Sequence, residues 1–172
     1  MGRPSQRPRP IKHRWLDQWL AADGEPLRKL VEATRGFLEH DEQYEKTRQR
    51  KRRSLDETHY RDSVEVIVAN AALAVIDPPE SGRIAVTASQ GVKGRTRYDN
   101  PALGSKPLRS LLYRLDRLEF LEFQMPKAIR GERSSFAPTD WFKDKVKEFG
   151  VSMDDFGWRG GEVPSLVVLE FA

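Results

Sequence analysis

Cysteine is absent from this 172-residue chain, so neither a disulfide nor a thiolate nor a cysteine-ligated zinc finger is open to it. Such a composition fits a reducing cytoplasm. Histidine is nearly absent too. The three copies, His13, His40 and His59, are scattered, and none has a second ligand at metal spacing. No stretch approaches the ~18 consecutive apolar residues of a membrane span. The basic opening residues are not followed by the apolar segment of a secretory signal. The expectation is a soluble protein of the bacterial cytoplasm or nucleoid, without a membrane partner.

Charge is plentiful. Hydrophobic residues make up 38% and charged residues 33%, so a core is affordable beneath a heavily charged surface. The formal net charge of +4 hides a blockwise distribution. Residues 1–53 carry 14 basic and 8 acidic side chains, a net of +6, and residues 54–82 carry 1 and 6, a net of −5. Residues 83–133 return to +6, and residues 134–172 close at −3. Two basic blocks around an acidic one suggest a polyanion gripped at two places.

Residues 1–14 interleave Pro4, Pro8 and Pro10 with Arg3, Arg7, Arg9, Lys12 and Arg14, which predicts a disordered basic arm. Such an arm tracks a phosphate backbone or simply solubilises. Trp15, Leu16, Trp19 and Leu20 fit a short helix ended by Asp23-Gly24. Pro26 opens a second helix, with Leu27, Leu30, Val31, Thr34, Phe37 and Leu38 on one face. Beyond Tyr44 no stripe persists, and 46–53 is the densest basic run, either a phosphate contact, a nuclear localisation patch in a eukaryotic host, or a solvated helix face. Asp62 or Ser63 is the expected cap of a helix over 63–77, which Pro78-Pro79 stops. Val64, Ile67, Val68, Ala71, Ala72 and Val75 form one stripe. Val66, Ala69 and Leu73 make the other side apolar as well, the mark of a central helix.

A strand over 83–88 and a basic, glycine-containing loop follow, the loop carrying Lys93, Arg95, Arg97 and Tyr98. A helical turn at 99–104 precedes the stretch on which the chain is organised. Ser105 caps and Pro107 opens a helix over 105–119, in which Leu108, Leu111, Leu112, Leu115 and Leu118 make one apolar stripe. Lys106, Arg109, Ser110, Tyr113 and Arg117 fall on the other side, with Arg114 at the border. Strands are expected at 120–125 and 134–138, joined by a tip bearing Lys127, Arg130 and Arg133. An ordinary solvated helix and hairpin would read the same way. Thr139 then caps a helix containing Trp141, Phe142, Val146 and Phe149 that Gly150 ends, and the chain closes on an apolar strand. That strand needs a sheet in this domain, in a second copy, or in a further domain of a longer protein.

No catalytic constellation emerges. Gly91 to Arg97 lacks the Gly-Lys-Ser/Thr ending of a phosphate loop, and His59-Tyr60 has no accompanying histidine pair. Asp154-Asp155 sits among glycines, where solvated aspartates commonly occur. The expectation is therefore no enzyme, no cofactor, no metal and no small-molecule substrate.

Residues 62–142 resemble the winged-helix domains of bacterial plasmid and phage replication initiators and of winged-helix transcription regulators. The resemblance is one of pattern. It rests on the central helix, the Arg95-Thr96-Arg97-Tyr98 loop, the 106–119 helix and the wing to Pro138. It implies an α+β, mainly helical fold with a winged helix-turn-helix core, to which this chain adds an N-terminal helical extension that the plain module lacks. The implied division is 1–14 arm, 15–61 extension, 62–142 winged helix, and 143–172 helix end and strand. The implied partner is double-stranded DNA, with homodimerisation through the N-terminal helices. Arg109, Tyr113 and Arg117 would then meet bases, Lys93, Arg95, Arg97, Lys106, Arg130 and Arg133 would hold phosphates, and Tyr98, Ser110 and Lys127 complete the expected DNA-binding set. A protein-docking module, or the binding part of a larger nucleic-acid enzyme, remains as an alternative.

Overall fold

A helix apolar on every side must be covered on every side, and the helix α2 (Ser54–Ile76) is the one around which the computed structural model is built. The structure describes residues 12–17, 19–45, 54–86, 103, 105–125, 134–159 and 168–170. It is an α+β fold, mainly helical, with four helices and a small mixed sheet among the described residues. Val64, Val66, Ile67, Val68, Ala69, Ala71, Ala72, Leu73 and Ala74 are all buried. The helix begins well before the expected cap at 62–63. Ser63 Oγ instead donates to the His59 carbonyl one turn back (2.8 Å), so it sits inside a helix already under way.

α1 (Glu25–Glu45) packs along α2, with Leu27, Leu30, Val31, Thr34 and Leu38 buried on the expected face. Phe37, assigned to that face from its spacing, is instead 53% exposed. The basic run 46–53 lies outside the described residues.

The N-terminal segment differs from the helix that its spacing predicts. Lys12–Trp15 is strand β1 and Leu20–Ala22 is strand β2. Asp17 explains the break: its Oδ1 accepts the Trp19 N–H (2.8 Å), and its carbonyl accepts the Leu20 N–H (3.3 Å), which makes a turn where a helix would need continuity. Buried Asn70 of α2 clamps that turn, donating to the Asp17 carbonyl (3.3 Å) and accepting its N–H (3.4 Å). Lys12 and Arg14, expected in a disordered arm, therefore belong to a sheet strand; residues 1–11 lie outside the description.

The main sheet has the order β4-β5-β3-β1-β7. β3 (Ile84–Ala85) runs parallel to β1 and antiparallel to β5 (Ser135–Pro138), with Ile84 opposite both Arg14 and Phe136. β4 (Leu121–Gln124) pairs with β5 at one edge, Phe123 facing Phe136. β7 (Val168–Glu170) pairs with β1 at the other, so the closing strand finds its sheet within this chain. A second ribbon joins β2 to β6 (Phe156–Trp158). Its crossing is tight at two glycines. A Cβ on Gly24 would collide with the main chain and carboxylate of Asp155, and one on Gly157 would collide with the Asp23 carboxylate.

α3 (Ser105–Arg117) buries Leu108, Leu111, Leu112 and Leu115, as its stripe predicts. It ends in a Schellman turn, with Phe120 N–H on the Leu115 carbonyl (2.9 Å) and Glu119 N–H on that of Asp116 (2.9 Å). Glu119 takes the left-handed position there, at φ 65°. α4 (Asp140–Phe149) starts under the Thr139 cap and ends at Gly150, as expected.

Candidate nucleic-acid interface

The geometry of α3 is set by its leucine stripe, which turns Arg109, Ser110 and Tyr113 outward. Ser110 is exposed, Tyr113 is 51% exposed and Arg109 is half-buried. Tyr113 is braced: its ring meets that of Phe123 edge to face, with centroids 5.1 Å apart. One turn on, Asp116 Oδ2 accepts the Phe123 N–H (3.0 Å). Helix and edge strand are thus held in register by two contacts to the same residue. The Asp116 contact also occupies a main-chain donor on an edge strand, where it would otherwise invite a foreign strand.

Arg83 completes the frame. Its Nε donates to Ser135 Oγ (2.7 Å) and its Nη2 to the carbonyls of Glu122 and Ser135 (both 3.1 Å), spanning β3, β5 and β4. Burial lowers its pKa from the ordinary arginine value, against the pull of Glu122 and Asp116. No sequence signal separates this arginine from a solvated one at the start of a strand. Arg14 is similar. Buried in β1, it donates from Nη2 to the Asp77 carbonyl (2.6 Å) and carboxylate (3.2 Å), just past the end of α2. Desolvation lowers its pKa in spite of Asp77. α2 has no basic residue in its own last turn, and Arg14 supplies that charge from across the sheet.

Arg117 goes elsewhere than the outward face. Its Nη2 lies 2.5 Å from Asp41 Oδ2 of α1. Arg114 joins the same carboxylate (Nε 3.8 Å), donates to the Leu38 carbonyl (2.9 Å), and lies 6.0 Å from the centre of the Tyr60 ring. The C-terminal turn of α3 is therefore tied to α1 and α2. Lys106 falls within α3, but its side chain lies outside the described part, as do Lys93, Arg95, Arg97, Tyr98, Lys127, Arg130, Arg133 and the expected turn at 99–104 apart from Leu103, which is fully buried. The structure brings together Arg109, Ser110 and Tyr113.

Two other surface features stand out. Phe37 and Trp141 flank buried Phe120, with edge-to-face centroid distances of 5.7 and 4.7 Å, and both are substantially exposed. A groove of about 170 Å³ between α1 and α2 is lined by Arg28, Arg35 and Arg61 against Glu32, Asp62 and Glu65, an evenly mixed set. Among the described residues no cluster of histidines and carboxylates is placed to hold a metal ion, and no helix is long and apolar enough to cross a membrane. No protein-family model matches the chain, and neither a curated protein nor a solved structure matches it significantly.

Proposed function

We propose that this protein binds double-stranded DNA through a winged helix, with α3 as the helix that enters the major groove. The observation that carries the reading is the braced outward face of α3 beside the β4–β5 hairpin. An arginine, a hydroxyl and a half-exposed aromatic within one turn are base-edge and backbone ligands, and the Phe123 and Asp116 contacts hold them at a constant angle to the hairpin. The connectivity supports it as well. Helix α2, strand β3, helix α3 and the β4–β5 hairpin follow one another in the chain, and β5 lies between β3 and β4. Arg109 and Tyr113 are the base-contacting candidates, and Ser110 a backbone or base ligand. The basic residues of 93–98 and 127–133 supply phosphate contacts in this scheme. The role is regulation of transcription or initiation of plasmid or phage replication.

A second reading, docking of another protein, has the Phe37–Phe120–Trp141 cluster in its favour. A salt series on a random duplex separates the two. DNA binding predicts a steep fall of log affinity with log salt. On a duplex selected from a random library, Arg109→Ala then costs ~1–3 kcal/mol and relaxes the preference at one position. A flat or absent salt response refutes the DNA reading and leaves the docking surface.

A further inference from the structure

α1 carries a glycine that its own chain does not require. Gly36 lies in the middle of the helix, where every residue but proline is a better helix former. It is exposed, and a Cβ placed on it would meet nothing within 4 Å, so packing inside the chain does not account for it. Next to it stands Phe37, half-exposed and edge to face with Trp141 of α4, the ring centroids 6.1 Å apart. Ala33, Gly36, Phe37 and His40 recur at i, i+3, i+4 and i+7, so they share one outward face of α1. That face is low over Gly36 and high over Phe37 and Trp141. The charges beside it cancel. Lys29 pairs with Glu25 (3.1 Å), and α4 sets three lysines against Asp140, Asp144 and Glu148, with Lys143 on Asp140 (3.7 Å) and Lys145 on Glu148 (3.0 Å).

We propose that a second copy of this chain docks on this face, giving a two-fold dimer in which the Phe37 ring of each protomer covers Gly36 of the other. A raised ring and a depression one residue apart on the same helix are complementary to their own image about a two-fold axis, which is what an isologous contact requires. Glycine at the crossing lets the two α1 backbones approach, and Phe37, with Trp141 beside it, supplies the aromatic anchors found at interface centres. The balanced charges select the same occupant. A polyanion needs a surplus of cations, and a strongly charged peptide needs a surplus of the opposite sign. A chain of formal charge +4 repels its own copy least where the local charge is zero. The inference uses no residue of α3 and does not rest on the DNA reading.

The test is the mass of the full chain in solution, without nucleic acid, by sedimentation equilibrium up to about 100 μM, where a Kd of about 10 μM leaves most chains paired. The average mass is expected to rise with concentration toward twice that of one chain. Phe37→Ser, which removes two half-exposed rings per dimer, is expected to weaken pairing more than about tenfold. Gly36→Leu separates an interface from a merely structural role, because its two effects have opposite signs. Leucine is the better helix former and its Cβ meets no neighbour in the chain, so at a concentration where both proteins are monomeric the variant should unfold at higher denaturant than wild type. The same side chain fills the depression and should weaken pairing more than about tenfold. It breaks no contact within the chain, so it decides the question even where Phe37→Ser fails to fold. A wild-type chain still monomeric at about 100 μM overturns the proposal and leaves the patch to a different protein. A dimer that Gly36→Leu forms as tightly as wild type overturns it too. Failure of duplex binding leaves these masses unchanged, so the two readings fail separately.

Discussion

Glu119→Gly is expected to stabilise the protein, because α3 and α4 end in the same motif with different residues at its critical position. In both, the residue after the helix adopts left-handed backbone, Glu119 at φ 65° and Gly150 at φ 72°. In both, the next residue reaches back five positions, Phe120 to Leu115 and Val151 to Val146. A residue with a Cβ gives up about 1–2 kcal/mol in that conformation. Glycine would recover this, less about 0.5–1 kcal/mol for the greater freedom of the unfolded chain, for a net gain of about 0.5–1 kcal/mol. For a chain of this size that corresponds to a rise in Tm of about 1–4 °C. The Glu119 side chain is exposed, and its carbonyl, which accepts from Thr139 Oγ1 at 2.7 Å, is retained by glycine. Glu119→Ala keeps the strain and is the control, expected near wild type. The converse change, Gly150→Ala, meets no steric neighbour and should lose about 1 kcal/mol through backbone conformation alone. Thermal unfolding followed by circular dichroism reads all three. A Glu119→Gly protein no more stable than Glu119→Ala would refute the reasoning.

Two further outcomes follow from buried polar groups. Arg14→Met should cost about 1.5–3 kcal/mol in denaturant unfolding, since it removes the charge-assisted bond to the Asp77 carbonyl beyond α2; an unchanged midpoint would mean that relief of the buried guanidinium's desolvation cancels the bond. Asp17 has its pKa raised by burial, opposed by the Trp19 and Leu20 N–H groups. A folded pKa above the unfolded one means that the native state holds the proton more tightly, so this group's contribution is full below the unfolded value of about 3.8 and is lost as pH rises through the folded one. Asp17→Asn, which keeps the carbonyl acceptor for Trp19, should therefore be more stable than wild type at neutral pH. That advantage should vanish on acidification below pH 3.8, and an advantage independent of pH would exclude the titration as its cause.

The helices of this chain could be read from local chemistry, because what makes and ends them lies close in sequence. Pro78-Pro79 halts α2, Thr139 and Gly150 bound α4, and the leucines of α3 recur at the helical period whatever they pack against. The all-round hydrophobicity of α2 announced its central place for the same reason, and the hairpin pattern of 120–138 announced β4 and β5. The first strands were not legible. Trp15, Leu16, Trp19 and Leu20 fit a helical face as well as they fit two short strands, and the choice is made by β3 and β7, which pair with β1 from about 70 and 155 residues away. The start of α2 was missed because Asp62-Ser63 has the chemistry of a cap, whereas the helix runs through it and Ser63 Oγ donates back to the His59 carbonyl. Charge is where sequence reasoning was weakest. Arg14 reads as part of a basic arm and Arg117 as a base contact, while Arg83 and Asp41 carry no signal, yet each meets a partner that folding brings from 39 to 76 residues away. Composition determined that this surface would be rich in arginine. Tertiary structure decided which arginines hold the fold together and which, with Arg109, face outward, because an ion pair depends on distance in space and leaves no period in the chain.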